Sequence, residues 1–451
     1  MTASHQSDSG ESASISPVMQ RLSSYISAAS KQALPEAVAE KTRHHILDTL
    51  AATISGSRLP PGATIIPYFA AQGGTPEAVI CGTQIHTTAT NAAMANAMLA
   101  HADETDDSHL TSRSHLGCGV VPAAFAMAEK QGRNGAELVR AVALGYDIGA
   151  RVCHALGTNQ LYDAGHSTHT FAPTFGAAAA AGALAGLSAD QCRWLLSYTA
   201  QQASGVNCWQ RDLDHVEKAF DFGGMAGRNG VAAATMVQMG FTGVDDVLSG
   251  PRNFLFAFSP DPKPDLFVDG LGERFEITLT NIKKWSVGSP IQAVLDSVQA
   301  LLRENRIGRD AVAELRIHMS DKEHFVVDNR EIPDINVQHM SALMLHDGDV
   351  SFESSHDESR MNEAGILAMK ARVRLIPDAS LERRKPRIEL LTTDGRSLSH
   401  STPAVRGTPD NPMTREEVEL KARDLIAPIL GAGRADELIA SIRDLDALDD
   451  V

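Results

Sequence analysis

The densest group of titratable side chains in the sequence lies in residues 101–115, which read HADETDDSHLTSRSH. Imidazole and carboxylate groups placed together suit proton transfer, because neighbouring charges and burial move their pKa values toward the working pH. The same nitrogen and oxygen atoms could bind a metal ion instead, and a polar turn that caps helix ends would have a similar composition. Residue types and spacing alone do not decide whether this segment serves catalysis, binds a metal ion or forms a capping turn.

Two later segments could hold an anion. Residues 165–176, GHSTHTFAPTFG, place His166 and His169 before an Ala-rich helix, and the free N–H groups of a helix N-terminus suit a carboxylate. Residues 218–228, KAFDFGGMAGR, place glycines between a lysine and an arginine, without the residue order of a nucleotide-binding P-loop. An ordinary loop broken by glycine or proline explains each segment equally well.

The pair Lys283-Lys284 and the lone His339 are weaker candidates. Adjacent lysines more often form a solvated face, and a single histidine inside an apolar helix is usually a core residue with one partner. The sequence has no nucleophile elbow, dinucleotide fingerprint, HExxH motif or EF-hand loop. These observations favour acid–base chemistry without an organic cofactor.

The pattern of the 451-residue chain changes near residue 270. Before that point, Ala-rich stretches with apolar residues three and four apart predict helices, with capping boxes at Asn134 and Ser188. After it, alternating apolar and polar stretches predict strands, with helices between them, and another capping box at Thr414 opens a helical tail. The predicted strands are 274–280, 313–319, 371–377, 387–392 and 397–401.

We therefore predict a mainly α protein with a large all-helical domain and a smaller α+β domain. The tail is expected to return to the first domain, because a helical segment follows the α+β part. The predicted boundaries are a flexible Ser-rich leader at 1–16, the helical domain at 17–270 and 405–451, and the α+β domain at 271–404.

The composition narrows the choice of partners. The formal net charge of −16 argues against nucleic acid and against an anionic membrane surface, because both require a basic face. An anionic substrate would then need cations gathered at its own site. Five cysteines without a close C-x-x-C pair, and no signal-peptide pattern at the start of the sequence, predict a cytoplasmic protein with reduced thiols.

Taken together, these segments resemble the MmgE/PrpD family, which includes 2-methylcitrate dehydratase, cis-aconitate decarboxylase and iminodisuccinate epimerase. The likeness covers nearly the whole chain after residue 17. The resemblance implies a large helical domain and a smaller α+β lid domain, usually as a homodimer. It also implies a site in the cleft between the domains that needs no metal or organic cofactor. The most specific stretches are 101–115, 165–186, 218–230, 282–292, 338–348 and 407–425.

Matching the family motif residue by residue shows agreement and departure. The family pattern H-x-x-D-x-D-D-T begins here at His101, with Glu104 and Ser108 in place of the first aspartate and the threonine. The catalytic histidine that follows corresponds to His115. The histidine of the second segment is best matched by His166, and one extra residue leaves His169 as the alternative.

The resemblance also implies roles for residues of the later segments. The anion-binding lysines of the family correspond to Lys218 and Lys283, and the tyrosine of the small domain corresponds to His339. Tyrosine to histidine replaces a phenol with an imidazole, which is a better proton carrier near neutral pH. The predicted catalytic residues are His115, His166, Glu104, Ser108 and His339, and the predicted substrate-binding residues are Lys218, Lys283, Arg113, His101 and His169.

The shared chemistry of the family is the handling of a C–H bond next to a carboxylate, which requires cations or donors aimed at that carboxylate. We therefore expect a cofactor-independent enzyme for a small di- or polycarboxylate. The extra imidazoles favour proton transfer on both faces of a carbon, so an epimerase for an iminodisuccinate-like substrate is the first expectation. The alternatives are a dehydratase for a 2-methylcitrate-like tricarboxylate, a decarboxylase of the cis-aconitate type, and a carboxylate-binding protein without activity.

Overall fold

The structure is a computed structural model that describes residues 14–451, so residues 1–13 of the predicted leader lie outside the described residues. Ser16 caps the first helix: its side chain accepts a hydrogen bond from the N–H of Met19 at 3.2 Å. Its own N–H donates to Asp246 at 2.8 Å. The predicted capping boxes at Asn134, Ser188 and Thr414 are all formed, which confirms three helix starts.

The first part of the chain is helical because Ala-rich stretches alternate with capping and helix-breaking residues. A π-helical turn, Phe220–Gly224, joins two of these helices and becomes important below. The helices are α1 (Pro17–Ala29), α2 (Glu36–Gly56), α3 (Pro60–Gln72), α4 (Ala89–Ala100), α5 (Leu116–Gln131), α6 (Gly135–Leu156), α7 (Thr158–Asp163), α8 (Thr168–Leu184), α9 (Ala189–Gln201), α10 (Val216–Ala219), α11 (Met225–Gln238) and α12 (Phe254–Phe258).

Helix α8 lies at the centre of this bundle and packs against α5, α6 and α11. Small side chains permit this close packing, since a methyl group on Gly145 would lie 2.9 Å from the carbonyl oxygen of Gly176. Two short antiparallel strand pairs border the helices. They are β1 (Ala78–Val79) with β2 (His86–Thr87), and β3 (Ser108–His109) with β4 (Thr280–Asn281).

The smaller part of the molecule contains a four-stranded sheet with helices packed beside it. The strand order is β6-β5-β7-β8, with β5 and β6 parallel and the other pairs antiparallel. The turn at Asp394-Gly395 joins β7 to β8, and Gly395 adopts φ +89°, which glycine tolerates best. The elements are α13 (Gln292–Asn305), β5 (Val312–Ser320), α14 (Val337–Asp347), α15 (Phe352–His356), α16 (Ala364–Lys370), β6 (Val373–Asp378), β7 (Arg387–Thr392) and β8 (Ser397–His400).

One predicted strand, 274–280, is wrong. The segment forms a 3-10 turn at Glu276–Leu279, and β4 begins only at Thr280. The alternating pattern treated Glu276 as a solvent-facing residue, but its carboxylate is buried, 3.4 Å from the Nε2 of His109 and 3.2 Å from the Nε of Arg274. Glu276 is therefore polar because it forms a buried ion pair, and not because it faces solvent from a strand.

The chain has two main hydrophobic cores, one among the helices and one between the small sheet and its helices. The last helices, α17 (Arg415–Leu430) and α18 (Ala432–Arg443), pack on α2 and add Leu425 and Ile439 to the first core. The observed architecture confirms the predicted fold class, mainly α with a smaller sheet-containing part. Within residues 14–451, no helix combines the length and hydropathy needed to cross a bilayer.

Candidate active site

The segment that follows α4 is held in place by buried polar contacts beneath it. Asp107 accepts hydrogen bonds from the Nδ1 of His45 at 2.7 Å, the hydroxyl of Tyr146 at 2.5 Å and the N–H of Gly117 at 3.1 Å. Although burial raises the pKa of Asp107, these donors lower it below its usual value overall. Asp107 therefore anchors the segment and is not exposed to a substrate.

A second anchor comes from the helical tail. The ammonium group of Lys421 on α17 donates to Asp48 of α2 at 2.6 Å and to the carbonyl oxygen of Thr105 at 3.0 Å. Burial raises the pKa of Asp48 and the neighbouring Lys421 lowers it, which leaves the pKa raised overall to about 6. The tail thus supports the segment from below, across more than 300 residues of sequence.

Asp106 holds two histidine rings in fixed orientations. Its two carboxylate oxygens lie 2.9 Å from the Nδ1 of His101 and 3.0 Å from the Nδ1 of His115. Burial raises the pKa of Asp106, but the two imidazoles lower it well below its usual range, so the carboxylate stays ionised and accepts both N–H groups. The Nε2 atoms of both rings are then left for proton transfer.

The two lysines meet the same stretch of chain. Lys218 donates to the carboxylate of Glu104, and Lys283 donates to the carbonyl oxygen of Glu104 at 2.6 Å. Lys283 also lies 3.7 Å from the Glu104 carboxylate and 3.8 Å from that of Asp106. Burial raises the pKa of Glu104, but Lys218 and Lys283 lower it well below its usual range. The two ammonium groups are thus paired with two carboxylates. An anion that binds to the lysines has to displace the Glu104 carboxylate or share the ammonium groups with it.

The aromatic ring of Phe222 forms a platform for the histidines. It stacks on His101 at 4.2 Å with an interplanar angle of 15°, and on His169 at 3.9 Å with an angle of 9°. Trp209 meets its edge at 4.7 Å. The ring of His115 lies 5.0 Å from His101 and 5.4 Å from His169. The π-helical turn places Phe222 there, and such turns are frequent at functional sites.

The histidine of the second segment in this cluster is His169, and His166 lies elsewhere. His166 packs edge-to-face against Phe171 and Phe258, with centroid distances of 5.7 and 5.5 Å. Helix α8 begins at Thr168, so His169 lies in its first turn, whereas His166 belongs to the preceding loop. We therefore correct the match to the second-segment histidine of the family from His166 to the alternative, His169.

Arg113 and Ser108 border the cluster without joining the lysines. Arg113, with φ +50°, stacks on Tyr162 at 3.6 Å and donates to the side chain of Asn159 at 3.3 Å. Ser108 lies in β3, where its hydroxyl is 3.5 Å from the side-chain amide of Asn281 in β4. This strand pair brings Lys283, two residues after Asn281, next to the segment that contains Glu104. Arg113 is close enough for its charge to contribute to the lowered pKa of His169, and its role in substrate binding stays a prediction.

His339 is also separate from the cluster. It is fully buried in α14, and neither ring nitrogen has a hydrogen-bond partner among the described residues. Burial, together with the charges of Lys370 and Arg360, lowers its pKa to about 4. Those charges come from the α16 side of the small domain, and the role of His339 as a proton carrier stays a prediction.

Sequence reasoning missed two histidines at the cluster. His356 at the end of α15 lies 2.9 Å from Asp103 and 3.8 Å from Asp334. Burial lowers the pKa of His356, but the two carboxylates raise it to about 9 overall, so the ring is a cation that joins the two parts of the chain. His215 lies 5.2 Å from His101, and only its position three residues before Lys218 could have signalled it.

The donor set at Asp106 fits hydrogen bonding better than metal binding. Ligand atoms of His101, Asp106 and His115 lie within 4.8 Å of one another. The Nδ1 atoms of both rings face Asp106, so these atoms and the carboxylate are already used by one another and only the Nε2 atoms remain for an ion. The ammonium group of Lys283 at 3.8 Å from Asp106 also opposes a second cation. This ammonium group disfavours a metal ion held by Asp106 and the two rings.

Comparison with known proteins assigns the class. Residues 20–266 match the MmgE/PrpD N-terminal domain, and residues 285–447 match the MmgE/PrpD C-terminal domain. The chain belongs to the MmgE/PrpD family, which confirms the resemblance.

Curated relatives align over almost the whole chain. The cis-aconitate decarboxylase-like protein oryM of Aspergillus oryzae is 25% identical, with 93% of this chain and 92% of the relative covered. Cis-aconitate decarboxylase of Aspergillus terreus is 24% identical, with 93% and 91% covered. Cis-aconitate decarboxylase of Homo sapiens is 24% identical, with 92% and 89% covered.

Proposed function

We propose that this protein is a lyase that removes carbon dioxide from a small tricarboxylate of the cis-aconitate type. The observation that carries the proposal is the Asp106-held pair His101 and His115 beside Lys218 and Lys283. The names of the relatives, cis-aconitate decarboxylase or decarboxylase-like, support the loss of carbon dioxide as the reaction. They favour the lyase alternative over the epimerase that we expected first.

The proposed reaction needs only charge stabilisation and one proton. The bond between the departing carboxylate and its carbon breaks, carbon dioxide leaves, and the electron pair is delocalised toward a remaining carboxylate. Lys218 and Lys283 stabilise that charge once the substrate displaces Glu104 from them. The Nε2 of His115 then gives a proton to the carbon that receives the electron pair, and solvent restores the proton. Asp106 holds the ring throughout and stabilises its charged form.

The test is a panel of di- and tricarboxylates, including cis-aconitate, 2-methylcitrate and an imino-linked disuccinate, followed by proton NMR in deuterium oxide together with a carbon dioxide assay. A decarboxylase releases one carbon dioxide per product molecule and places one deuterium on carbon. A dehydratase forms an alkene without carbon dioxide, and an epimerase exchanges the α hydrogen without net consumption. Either of the last two results would overturn the proposed reaction.

Variants connect the activity to the site. His115→Asn and Lys218→Met should each lower kcat/KM by about 10²-fold or more, because each removes a group that acts in the transition state. His166→Asn is the matched control, since His166 packs against Phe171 and Phe258. Full turnover in His115→Asn, or an equal loss in His166→Asn, would contradict the assignment.

The homodimer implied by the family stays a proposal of its own. Sedimentation equilibrium of the full chain should give twice the 48.1 kDa of the monomer. A single species of monomer mass at micromolar concentration would contradict it.

A further inference from the structure

The arrangement of charges leaves a question that the proposed function does not answer. A tricarboxylate carries three negative charges, yet the two lysines of the cluster are already matched by Glu104 and Asp106. Displacing Glu104 frees the lysines but leaves its carboxylate buried nearby. Binding such an anion therefore needs positive charge beyond that of the two lysines, because an uncompensated buried charge is costly.

His215 is placed to supply that charge. Its ring lies 5.2 Å from His101, three residues before Lys218, at the start of α10. Its Nε2 is buried, and among residues 14–451 it has no hydrogen-bond partner. Buried polar atoms are rarely left unpaired, and each exception calls for an explanation such as a missing ligand.

The backbone supports a functional reason for this placement. His215 has φ +59°, in the left-handed region that residues other than glycine adopt uncommonly, although asparagine, aspartate and histidine adopt it more often than the others. Such strain persists where the surrounding structure enforces it, and it concentrates at functional sites. The strained turn directs the chain from the loop before it into α10, where Lys218 meets Glu104.

The groups that act on the ring explain its charge state. Burial lowers the pKa of His215 well below its ordinary value, and Lys218 on its own helix and His101 lower it further. Glu104 and Asp103, from the segment packed against it, act in the opposite direction. His215 is thus a neutral imidazole, and any negative charge brought close to it favours its protonation.

We propose that His215 is a substrate-binding residue that takes up a proton when a polycarboxylate binds and then donates a hydrogen bond from Nε2 to one of its carboxylates. The proposal rests on the proposed function for the class of ligand. One proton moves from solvent to the imidazole for each ligand bound, and no bond within the ligand changes. His215 thereby adds the positive charge that the lysine and carboxylate pairs lack, and it favours ligands with more carboxylates.

The test measures proton uptake directly, with tricarballylate, a tricarboxylate without a reactive hydroxyl or alkene. Isothermal titration calorimetry of the full chain at pH 7, in buffers of different ionisation enthalpy, gives the number of protons bound per ligand. The wild-type protein should take up protons, and His215→Asn should take up about one proton fewer. Asparagine is the matched substitution because it tolerates positive φ. His166→Asn is the control and should behave as the wild type.

The affinity and the kinetics give a second readout. A hydrogen bond to a charged group contributes about 1.5–3 kcal/mol, so His215→Asn should weaken tricarballylate binding by about 10- to 150-fold. With a turned-over substrate the same variant should raise KM by a similar factor and change kcat much less, because the contact is made before and during the reaction. Circular dichroism and the thermal midpoint should match the wild type.

The outcomes separate this proposal from the proposed function. Weaker binding with undiminished proton uptake would assign His215 a packing role and overturn the proposal, as would unchanged affinity. Proton uptake that disappears in His215→Asn, in a protein that decarboxylates no tricarboxylate, would support His215 and refute the lyase. Active enzyme with unchanged KM in the variant would refute His215 alone.

Discussion

Replacing Asp106 with asparagine should stop the reaction while the protein stays folded. The carboxylate accepts one N–H from His101 at 2.9 Å and one from His115 at 3.0 Å. An amide has one oxygen acceptor, and its nitrogen donates, so at most one of these two hydrogen bonds survives. The other ring must rotate or change tautomer, and its Nε2 no longer presents a proton in the required direction.

The magnitude follows from the lost contact. A hydrogen bond to a charged group contributes about 1.5–3 kcal/mol, which corresponds to about 10- to 150-fold in rate when it acts in the transition state. The loss of the carboxylate that stabilises the charged imidazole adds to this, and general acid–base groups contribute about 10²–10⁴-fold in total. We therefore expect kcat of Asp106→Asn to fall by about 10²–10⁴-fold.

The neighbouring Asp107 provides a matched control, since both carboxylates are fully buried. Asp107 holds His45, Tyr146 and the Gly117 amide, so Asp107→Asn should lower the free energy of unfolding by about 2–5 kcal/mol. Its activity per folded molecule should fall less than that of Asp106→Asn, by at most about 10²-fold, because Asp107 acts only by positioning the segment.

The assay combines carbon dioxide release with urea unfolding of both variants. Wild-type kcat in Asp106→Asn would refute the role of the histidine pair. An equal loss of kcat per folded molecule in Asp107→Asn would show that any buried charge in this segment matters in the same way.

Three further predictions concern stability, each measured by urea unfolding. The pKa of His356 is raised to about 9, so the free energy of unfolding that its ion pairs contribute is complete below about pH 6.5 and is lost as the pH rises through 9. The variant His356→Asn should show a smaller decline in the free energy of unfolding over this range. Gly117→Ala should lower the free energy of unfolding by about 1–3 kcal/mol, because the new methyl group would lie 2.6 Å from the Tyr146 hydroxyl. Gly433→Ala is the control and should not lower it, because Gly433 lies on an exposed helix with free space around it. Lys421→Met should cost about 3–5 kcal/mol by leaving a carboxylate buried without its cation.

Each of these predictions has a clear contrary result. A wild-type stability that stays level between pH 6.5 and 9 would contradict the cationic His356. Equal stability of the two glycine variants would contradict the close packing beneath the segment. A Lys421→Met variant as stable as the wild type would show that the buried pair is not needed.

The part of the site that sequence reasoning could predict is the part that is local in the chain. His101, Asp106 and His115 lie within fifteen residues, so the spacing alone brought imidazole and carboxylate together. The helical pattern and the three capping boxes were equally local and were confirmed. The fold class follows from such patterns, because they repeat over many residues.

The errors arose where the outcome depends on tertiary contacts. The choice between His166 and His169 depends on where α8 begins and on the ring of Phe222, which comes from another helix. The contact of His356 with Asp103 spans about 250 residues and leaves no local trace. The sequence predicts that Lys218 and Lys283 bind an anion, but it could not show that Glu104 would reach both of them.

The most direct test of the account is a crystal structure of the full chain with tricarballylate at pH 7. The account predicts that a ligand carboxylate lies within hydrogen-bond distance of the Lys218 Nζ, with Glu104 displaced, and that the Nε2 atoms of His115 and His215 face the ligand. A ligand bound at another surface, with the contact between Lys218 and Glu104 intact and the cluster unchanged, would contradict it.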